Sequence, residues 1–404
     1  IVHTIDLQHE TRRRQTELVD SLTGQPGWSP TVYVGALGVS VIILGVVLFG
    51  SSAVSTTLDR FIASGPTAVP TRKAAANQSA GQNPPATSAS PASKKKPTAT
   101  LANRATSVIA PTNQEERGKE YLDAGEYEQA LEAFSQALKD DPYNDARLYY
   151  LRGMAYSGLE DYESALLDLN RAIKVDPKYM EAYYERGMAH FYLGNFGLAN
   201  EDFDQALKFD ADYPDAYIGR GYTYYALEDY AHALADLNKA VRLDKANSKA
   251  YYGRGLVYYA TSEYLKAAKD FSTTLELDDK WADAYYQRGL VHYDLDNLTA
   301  ARADFDRAVE LEPEHIEPYF DRGILLHDLG LYAEALDDLN KVVEAYPEEG
   351  VVYLWRGIVY SKLNETEKAI ADLERAVKWS VNATVRREAE DLLKELKGEK
   401  RPVS

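Results

Sequence analysis

Residues 146–179 read ARLYYLRGMAYSGLEDYESALLDLNRAIKVDPKY, and six further segments of the same length repeat this pattern up to residue 383. An Arg-Gly pair marks the register and recurs at every 34th residue: Arg152-Gly153, Arg186-Gly187, Arg220-Gly221, Arg254-Gly255, Arg288-Gly289, Arg322-Gly323 and Arg356-Gly357. A strict repeat of this length is typical of stacked helix-turn-helix units. Each unit is too small to bury its own apolar face, so its neighbours complete the core.

Seven regular repeats follow when each of these glycines is placed at position 8. They are numbered here repeats 1 to 7: 146–179, 180–213, 214–247, 248–281, 282–315, 316–349 and 350–383. Position 4 is always Tyr (Tyr149, Tyr183, Tyr217, Tyr251, Tyr285, Tyr319, Tyr353), and position 20 is always Ala (Ala165, Ala199, Ala233, Ala267, Ala301, Ala335, Ala369). Positions 4, 8 and 11 share one helical face. Position 24 is Phe or Leu, and a large residue near a small one lets two helices pack closely.

This register resembles the tetratricopeptide repeat, whose pattern has a large aromatic residue near position 4, Gly at 8, Tyr near 11, Ala at 20, Phe at 24, Ala at 27 and Pro at 32. Pro177, Pro313 and Pro347 fit position 32, whereas Ala211, Lys245, Asp279 and Val381 depart from it. The resemblance implies an all-α fold, a right-handed superhelical solenoid of about eight helix-turn-helix repeats.

Both ends of the array differ from the regular repeats. An irregular repeat comes first, with Gly118, Ala130, Phe134, Ala137 and Pro142 in register and one extra residue after it, so that the eight repeats span residues 111–383. Residues 384–404 are predicted to form a capping helix and tail. The inward-facing residues of that helix are Ala389, Leu392, Leu393 and Leu396, and its polar side closes the array.

Position 7 is Arg and position 23 is Asp in every regular repeat. The acidic set is Asp168, Asp202, Asp236, Asp270, Asp304, Asp338 and Asp372. This pattern predicts a ladder of Arg-Asp pairs that link the two helices of each repeat. The irregular repeat has Arg117 but Ala133 at these positions, as expected if its arginine pairs elsewhere or is solvated. The alternative is an anionic-ligand site made of seven arginines, but a partner carboxylate in every repeat favours an architectural role.

The chain before the repeats has a different composition. Residues 1–110 carry a net charge of +5 and residues 111–404 one of −23. Residues 1–29 are a short polar segment. Residues 30–50 contain the uncharged stretch TVYVGALGVSVIILGVVLFG, whose 20 residues match the thickness of a bilayer. Trp28 and Tyr33 lie where interfacial aromatic residues belong. The stretch is too long for a typical signal-peptide core, so we predict an uncleaved transmembrane helix.

The charges that flank this helix predict its orientation. Residues 12–14 are all Arg, whereas Arg60 is the single basic residue close behind the helix, so the positive-inside rule puts the N-terminus in the cytoplasm and the repeats outside it. Residues 51–110 are rich in Ala, Ser, Thr and Pro and include the cluster Lys94-Lys95-Lys96. This composition predicts a disordered linker, with a root-mean-square reach of roughly 40 Å if it behaves as a flexible coil.

Several classes of function lack a sequence signature. The chain has no cysteine, so thiol catalysis, disulfides and cysteine metal sites are excluded. It also lacks a phosphate-binding glycine loop, an H-E-x-x-H motif and a nucleophile elbow, and its histidines show no metal-ligand spacing. We therefore predict no enzyme, no cofactor and no metal. The strongly acidic repeats would repel nucleic acid.

The groove lined by the first helices is the candidate site. The resemblance implies that positions 2, 5, 9, 12 and 13 line the concave surface, and positions 5, 9 and 12 share one stripe. Aromatic residues at positions 5 and 12 are the predicted partner contacts: Tyr150, Tyr184, Phe191, Tyr225, Tyr252, Tyr259, Tyr286, Tyr293 and Phe320. Tyr combines large contact area with a polar tip. The open alternative is that these rings pack against their neighbours along the groove.

Charged residues of the groove narrow the kind of ligand. The family's carboxylate clamp uses Lys and Asn at positions 5 and 9, whereas this chain has aromatic or aliphatic residues at both. Acidic residues occupy position 2 in four repeats and position 13 in two: Glu181, Asp215, Asp283, Glu317, Asp294 and Asp328. The expected ligand is an extended or helical segment with apolar or aromatic anchors and some Lys or Arg.

Two functions from different classes follow. The leading hypothesis is a membrane-anchored scaffold for protein-protein interaction. The alternative is a self-assembling protein whose near-identical repeats stack into oligomers or filaments, since heterologous contacts that do not close produce filaments. A sugar-binding wall built from the same tyrosines is a third, weaker possibility.

Overall fold

The computed structural model describes residues 113–141 and 145–398, and the regular secondary structure in this part of the chain is α-helical. Seventeen helices occur there: α1 (Asn113–Asp123), α2 (Tyr127–Asp140), α3 (Ala146–Gly158), α4 (Tyr162–Val175), α5 (Met180–Tyr192), α6 (Phe196–Phe209), α7 (Pro214–Ala226), α8 (Tyr230–Leu243), α9 (Ser248–Ala260), α10 (Tyr264–Leu277), α11 (Ala282–Asp294), α12 (Leu298–Leu311), α13 (Glu317–Asp328), α14 (Tyr332–Ala345), α15 (Gly350–Lys362), α16 (Thr366–Trp379) and α17 (Ala383–Leu396). Helices α1–α4 belong to one compact unit and α5–α17 to another.

The predicted transmembrane helix (residues 30–50), the linker (residues 51–110) and Pro142 lie outside the described residues. Among the helices of the described part, none is both long enough and apolar enough to cross a membrane.

Position 15 ends the first helix of each regular repeat because its backbone turns left-handed. Gly194 and Gly330 have φ of 72° and 75°. Glu160, Glu228, Ser262, Asp296 and Asn364 adopt φ of 59° or 60° without being glycine, and a left-handed residue commonly terminates a helix. In three repeats the next residue, Asp161, Asp229 or Asn297, caps the second helix by accepting a backbone hydrogen bond.

The glycine at position 8 lets the second helix approach the first. A Cβ atom built on Gly289 would lie 2.6 Å from Cε1 of Phe305, and one on Gly255 would lie 2.7 Å from Cε1 of Phe271. Repeats with Leu at position 24 pack closely too, as at Gly153, whose Cβ would lie 3.0 Å from Cγ of Leu169. The predicted close packing between positions 8 and 24 is therefore confirmed.

The predicted Arg-Asp ladder is present in all seven regular repeats. Each arginine donates from Nε and from Nη2 to the two carboxylate oxygens of its aspartate, at distances between 2.5 and 2.9 Å. Each aspartate is buried and each arginine is partly exposed. This geometry is the bidentate arrangement that suits guanidinium and carboxylate, so these seven arginines are occupied by the fold itself.

The same arginines also join successive repeats. Nη1 of Arg254 donates to Oδ1 of Asn238 at 2.8 Å, and Nη1 of Arg356 donates to Oδ1 of Asn340 at 2.9 Å. The acceptor is position 25 of the preceding repeat. One guanidinium therefore ties together three helices.

The irregular repeat, formed by α1 and α2, keeps the packing but not the ladder. Gly118 again abuts the ring of Phe134. Arg117 is exposed, and its Nη2 lies 3.4 Å from the Tyr121 hydroxyl, as expected in the absence of an aspartate at position 133. Glu115 is buried and accepts a hydrogen bond from Arg147 of repeat 1 at 3.1 Å.

Helix α17 follows repeat 7 and packs on α16 and α15. Val385 and Ala389 are buried, and Leu392, Leu393 and Leu396 lie against the same core. Its charged residues Arg386, Arg387, Asp391, Lys394 and Glu395 are exposed. The helix therefore covers the last repeat with an apolar side and presents a polar side outward.

Candidate functional site

The predicted groove corresponds to one side of the first helices. We call it the first-helix face and define it by positions 2, 5, 6, 9, 12 and 13 of each repeat, with position 34 added. Position 34 directly precedes the first helix of the next repeat. Because an α-helix turns every 3.6 residues, positions 2, 5, 9, 12 and 13 lie on one side of it.

Aromatic rings at position 34 cover the rings at position 5 of the same repeat. Trp281 stacks on Tyr252 with ring centroids 4.6 Å apart and planes at 23°. Tyr213 and His315 meet the rings of Tyr184 and Tyr286 edge-on, at 5.3 and 5.4 Å. These pairings were not predicted from the sequence. The signal for them was present, since position 34 is aromatic or His in four of the seven regular repeats: Tyr179, Tyr213, Trp281 and His315.

Tyrosine hydroxyls on this face donate to aspartates of the following repeat. Tyr259 donates to Asp294 at 2.7 Å, and Tyr293 donates to Asp328 at 2.6 Å, which links position 12 to position 13. At position 5, Tyr286 donates to Asp321 at 2.7 Å and Tyr252 donates to Asp283. Burial raises the pKa of the Tyr252, Tyr259 and Tyr286 phenols, and the adjacent carboxylates raise it further. The hydroxyls are therefore protonated donors.

A second row of ring contacts joins position 12 to position 17 at the start of the second helix. The centroid distances are 5.7 Å for Phe191–Phe196, 6.0 Å for Tyr225–Tyr230, 5.7 Å for Tyr259–Tyr264 and 5.7 Å for His327–Tyr332. Ring pairs at this separation add to the stability given by area burial alone. The aromatic stripe is thus also a structural element.

Burial corrects part of the predicted contact set. Five of its nine members are buried: Phe191, Tyr252, Tyr286, Tyr293 and Phe320. Tyr252 exposes 0% of its surface and Phe320 1%, so neither ring has area to offer a partner. The physical reason is packing between repeats, because positions 5 and 12 meet residues of their own and the following repeat. The other four, Tyr150, Tyr184, Tyr225 and Tyr259, are partly exposed.

Packing between repeats also leaves fewer of the predicted acidic residues at positions 2 and 13 available to a partner. Asp283 and Glu317 at position 2 are buried. Asp294 and Asp328 at position 13 accept hydrogen bonds from tyrosines. The carboxylates of repeats 5 and 6 on this face are therefore largely structural: they are buried or accept hydrogen bonds from tyrosines.

Repeats 2 to 4 carry a set of partly exposed charged and aromatic side chains, which we call the Glu185 cluster. It consists of Glu185 on α5, Asp215 in the first turn of α7 and Lys249 in the first turn of α9, with Tyr184 and Tyr213 beside them. All five side chains are partly exposed. Burial raises the pKa of Glu185 to about 7, with a further contribution from Asp215, and burial also raises the pKa of Asp215.

Residues 113–141 and 145–398 contain no group of three or more His, Cys, Asp or Glu side chains arranged to hold a metal ion. What the first-helix face does offer is tyrosine rings and carboxylates side by side. Such surfaces bind through apolar area and hydrogen bonds.

Family comparisons agree with the repeat register. A model of the tetratricopeptide repeat matches residues 116–174, 150–217, 252–316 and 286–350, and another matches residues 351–380. A model described as TPR repeat matches residues 221–262. Together the matched residues make up more than half of the 404-residue chain. No curated protein matches this sequence.

One solved structure shares the fold, and two others are similar to parts of the chain. The crystal structure of the APC/C hetero-tetramer Cut9-Hcn1 is similar with a TM-score of 0.54 and 18% identity, over 69% of this chain and 54% of that chain. This chain thus spans about half the length of that relative. A tetratricopeptide repeat protein from Parabacteroides merdae has a TM-score of 0.45 and 22% identity, over 62% of this chain and 98% of that one. YrrB, a TPR protein with an unusual peptide-binding site, has a TM-score of 0.37 and 25% identity, over 50% and 100%.

The 34-residue register, the helix pairs that it forms and the family matches lead to one assignment. The chain belongs to the tetratricopeptide repeat family.

Proposed function

We propose that this protein is a membrane-anchored interaction scaffold that binds a segment of a partner protein on the first-helix face of repeats 2 to 4. The tetratricopeptide repeat fold suits protein-protein interaction, and proteins of this family are generally non-enzymatic. The observation that carries the proposal is the partly exposed set Tyr184, Tyr225 and Tyr259, which lies on the same face as Glu185 and Asp215. Repeats 5 and 6 contribute less, because their aromatic residues on this face, Tyr286, Tyr293 and Phe320, are buried.

The binding claim can be tested without knowing the partner. A library of random peptides displayed on phage is selected on the purified full chain in mild detergent. Selected peptides should contain aromatic or aliphatic anchors, and their binding should weaken in the variant Tyr184→Ser/Tyr225→Ser. Tyr217→Ser/Tyr251→Ser is the control, since these tyrosines lie at position 4, outside the first-helix face. Equal weakening in both variants, or no selected peptides at all, would remove this face as the binding site.

Membrane anchoring is the second part of the proposal and rests on the 20-residue apolar stretch within residues 30–50. The full chain should remain in the membrane pellet after alkaline carbonate extraction. Protease added to right-side-out vesicles should cut between residues 51 and 110 and release the repeats, if they lie outside the cytoplasm. Extraction by carbonate would exclude the anchor, and protection from protease would reverse the orientation.

Self-assembly into filaments is the alternative function. The polar outer side of α17 disfavours end-to-end stacking at the C-terminal end, because the next copy would have to desolvate exposed charges. Light scattering behind a sizing column distinguishes the two functions. A mass that does not change with concentration supports the scaffold, and growth into large species would make self-assembly the leading function.

A further inference from the structure

The Glu185 cluster brings two carboxylates and one ammonium group together on the first-helix face. Glu185 occupies position 6 of repeat 2, whereas Asp215 and Lys249 occupy position 2 of repeats 3 and 4. Successive first helices α5, α7 and α9 lie next to one another, so the three charges come from three adjacent helices. Nδ2 of Asn247 lies 3.5 Å from Oδ1 of Asp215 and is a distant donor to it.

The charges within this cluster do not balance. One lysine faces two carboxylates, and each carboxylate loses part of its hydration. Burial and the neighbouring Asp215 raise the pKa of Glu185, while Lys249 acts in the opposite direction. Burial lowers the pKa of Lys249. An additional cation would therefore improve the electrostatics of the cluster, because opposite charges at close range favour the ionised carboxylate.

Aromatic rings form the wall beside these carboxylates. Tyr184 and Tyr213 meet edge-to-face at 5.3 Å, with planes at 65°, and both remain partly exposed. Lysine and arginine side chains pack their methylene groups on apolar surface while the charged end reaches polar groups. Their cations are also attracted to the faces of tyrosine rings. The cluster thus provides complementary surface for both parts of such a side chain.

We propose that the Glu185 cluster is the subsite that binds a lysine or arginine side chain of the partner segment, with Glu185 and Asp215 as the carboxylate contacts and Tyr184 and Tyr213 as the wall. This inference rests on the proposed function and specifies the chemistry of the partner. Charge complementarity supports a basic occupant, since residues 111–404 carry a net charge of −23. In repeats 5 and 6 the corresponding carboxylates Asp283, Glu317 and Asp321 are buried.

The test compares peptide selections on three forms of the full chain: wild type, Glu185→Gln/Asp215→Asn and the control Glu201→Gln/Glu276→Gln. The control removes two exposed carboxylates from second helices, so its change in net charge is the same. We expect lysine and arginine to be enriched among peptides selected on the wild type and the control, but not on Glu185→Gln/Asp215→Asn. The best wild-type peptide should bind this variant at least tenfold more weakly, a loss of about 1.4 kcal/mol.

The outcomes separate this inference from the proposed function. Peptides that bind all three forms equally would overturn the subsite and leave the scaffold function standing, whereas a failure to select any peptide would count against the scaffold function itself. A tenfold gain in affinity in Lys94→Gln/Lys95→Gln/Lys96→Gln would show that the chain's own linker fills the subsite, and would overturn its assignment to a partner.

Misfolding is excluded by measuring the melting temperature and the peptide binding of the single variant Glu185→Gln. The pKa of Glu185 is raised in the folded state, so its ionisation costs stability as pH rises from its ordinary pKa towards about 7. Glu185→Gln should therefore melt no lower than the wild type at neutral pH. A variant that keeps its melting temperature and loses the basic peptides supports the subsite, and one that binds basic peptides unchanged overturns it.

Discussion

Each arginine of the Arg-Asp ladder is held by one aspartate of its own repeat, but its remaining acceptor differs between repeats. Nη1 of Arg220 donates to the carboxylate of Asp204, whereas Nη1 of Arg288 donates to the Ser272 hydroxyl at 3.2 Å. The aspartate partners are Asp236 and Asp304. The bidentate geometry is the same at both arginines. Without its aspartate, however, Arg220 would keep a carboxylate acceptor and Arg288 only a hydroxyl.

This difference predicts unequal costs for the same substitution. Asp304→Ala leaves a largely buried guanidinium beside a neutral hydroxyl and should cost about 3 kcal/mol, as expected when one partner of a buried pair is lost. Asp236→Ala should cost less, because Arg220 keeps Asp204. Urea unfolding followed by circular dichroism measures both. Equal losses would mean that the acceptor at position 25 contributes nothing.

For Tyr252 and Tyr286, the role predicted from the sequence differs from the role that the structure gives them. Their position on the groove stripe predicts partner contacts, so their removal would leave the fold intact. Both are buried in the structure, and both donate to an aspartate of the next repeat. The double variant Tyr252→Ala/Tyr286→Ala should therefore lower the melting temperature strongly, since one buried aromatic residue replaced by Ala typically costs 3–5 kcal/mol. The partly exposed Tyr230→Ala is the control, and a double variant as stable as this control would restore the two rings as candidate contacts.

Histidines 190 and 292 replace the tyrosine found at position 11 in most repeats. Burial lowers the pKa of each, and in both the Nδ1 atom is buried without a hydrogen-bond partner in the described part of the structure. A depressed folded-state pKa gives stability that is present above the unfolded pKa of about 6.5 and is lost as the pH falls through the folded value. His190→Tyr/His292→Tyr should reduce the loss of stability as the pH falls below about 6.5. The measurement is the melting temperature as a function of pH, with His232→Tyr at an exposed site as the control. The same pH dependence in the double variant and the wild type would contradict the prediction.

At the scale of the helices, the sequence predicted the contacts that form within a single repeat. Gly at position 8, a large residue at 24 and the Arg-Asp pair all act within a 34-residue unit, and a fixed spacing reveals them. The rings of Trp281 and His315 and the buried carboxylates Asp283 and Asp321 could not be placed in the same way. Position 34 precedes the first helix of the next repeat, and Asp283 and Asp321 lie on such helices, so all these contacts depend on how one first helix packs against the next. Helical periodicity carries no information on that packing.

Close packing of paired helices gives a prediction at this scale. Gly289→Ala would put a Cβ atom 2.6 Å from the buried ring of Phe305, and overpacking of this kind typically costs 1–3 kcal/mol. Gly197 lies in helix α6 with no atom within 4 Å of its virtual Cβ. Gly197→Ala should raise stability by up to about 1 kcal/mol. Urea midpoints test the pair, and a stabilised Gly289→Ala variant would show that α11 and α12 separate easily.

At the scale of the whole molecule, the end of the array determines whether copies stay apart. Helix α17 covers the core of repeat 7 with Val385 and Ala389. Removal of residues 383–404 should expose this apolar surface and cause association that increases with concentration, because uncapped repeat arrays are poorly soluble. Light scattering measures the change, and a shortened chain that stays monomeric would mean that α17 is not needed as a cap.

The central claim is that a partner segment lies on the first helices of repeats 2 to 4. Hydrogen-deuterium exchange of the full chain, with and without the best peptide selected on it, tests this most directly. The account predicts added protection in Met180–Tyr192, Pro214–Ala226 and Ser248–Ala260, with little change in the second helices between them. Protection confined to the second helices or to α17 would contradict it.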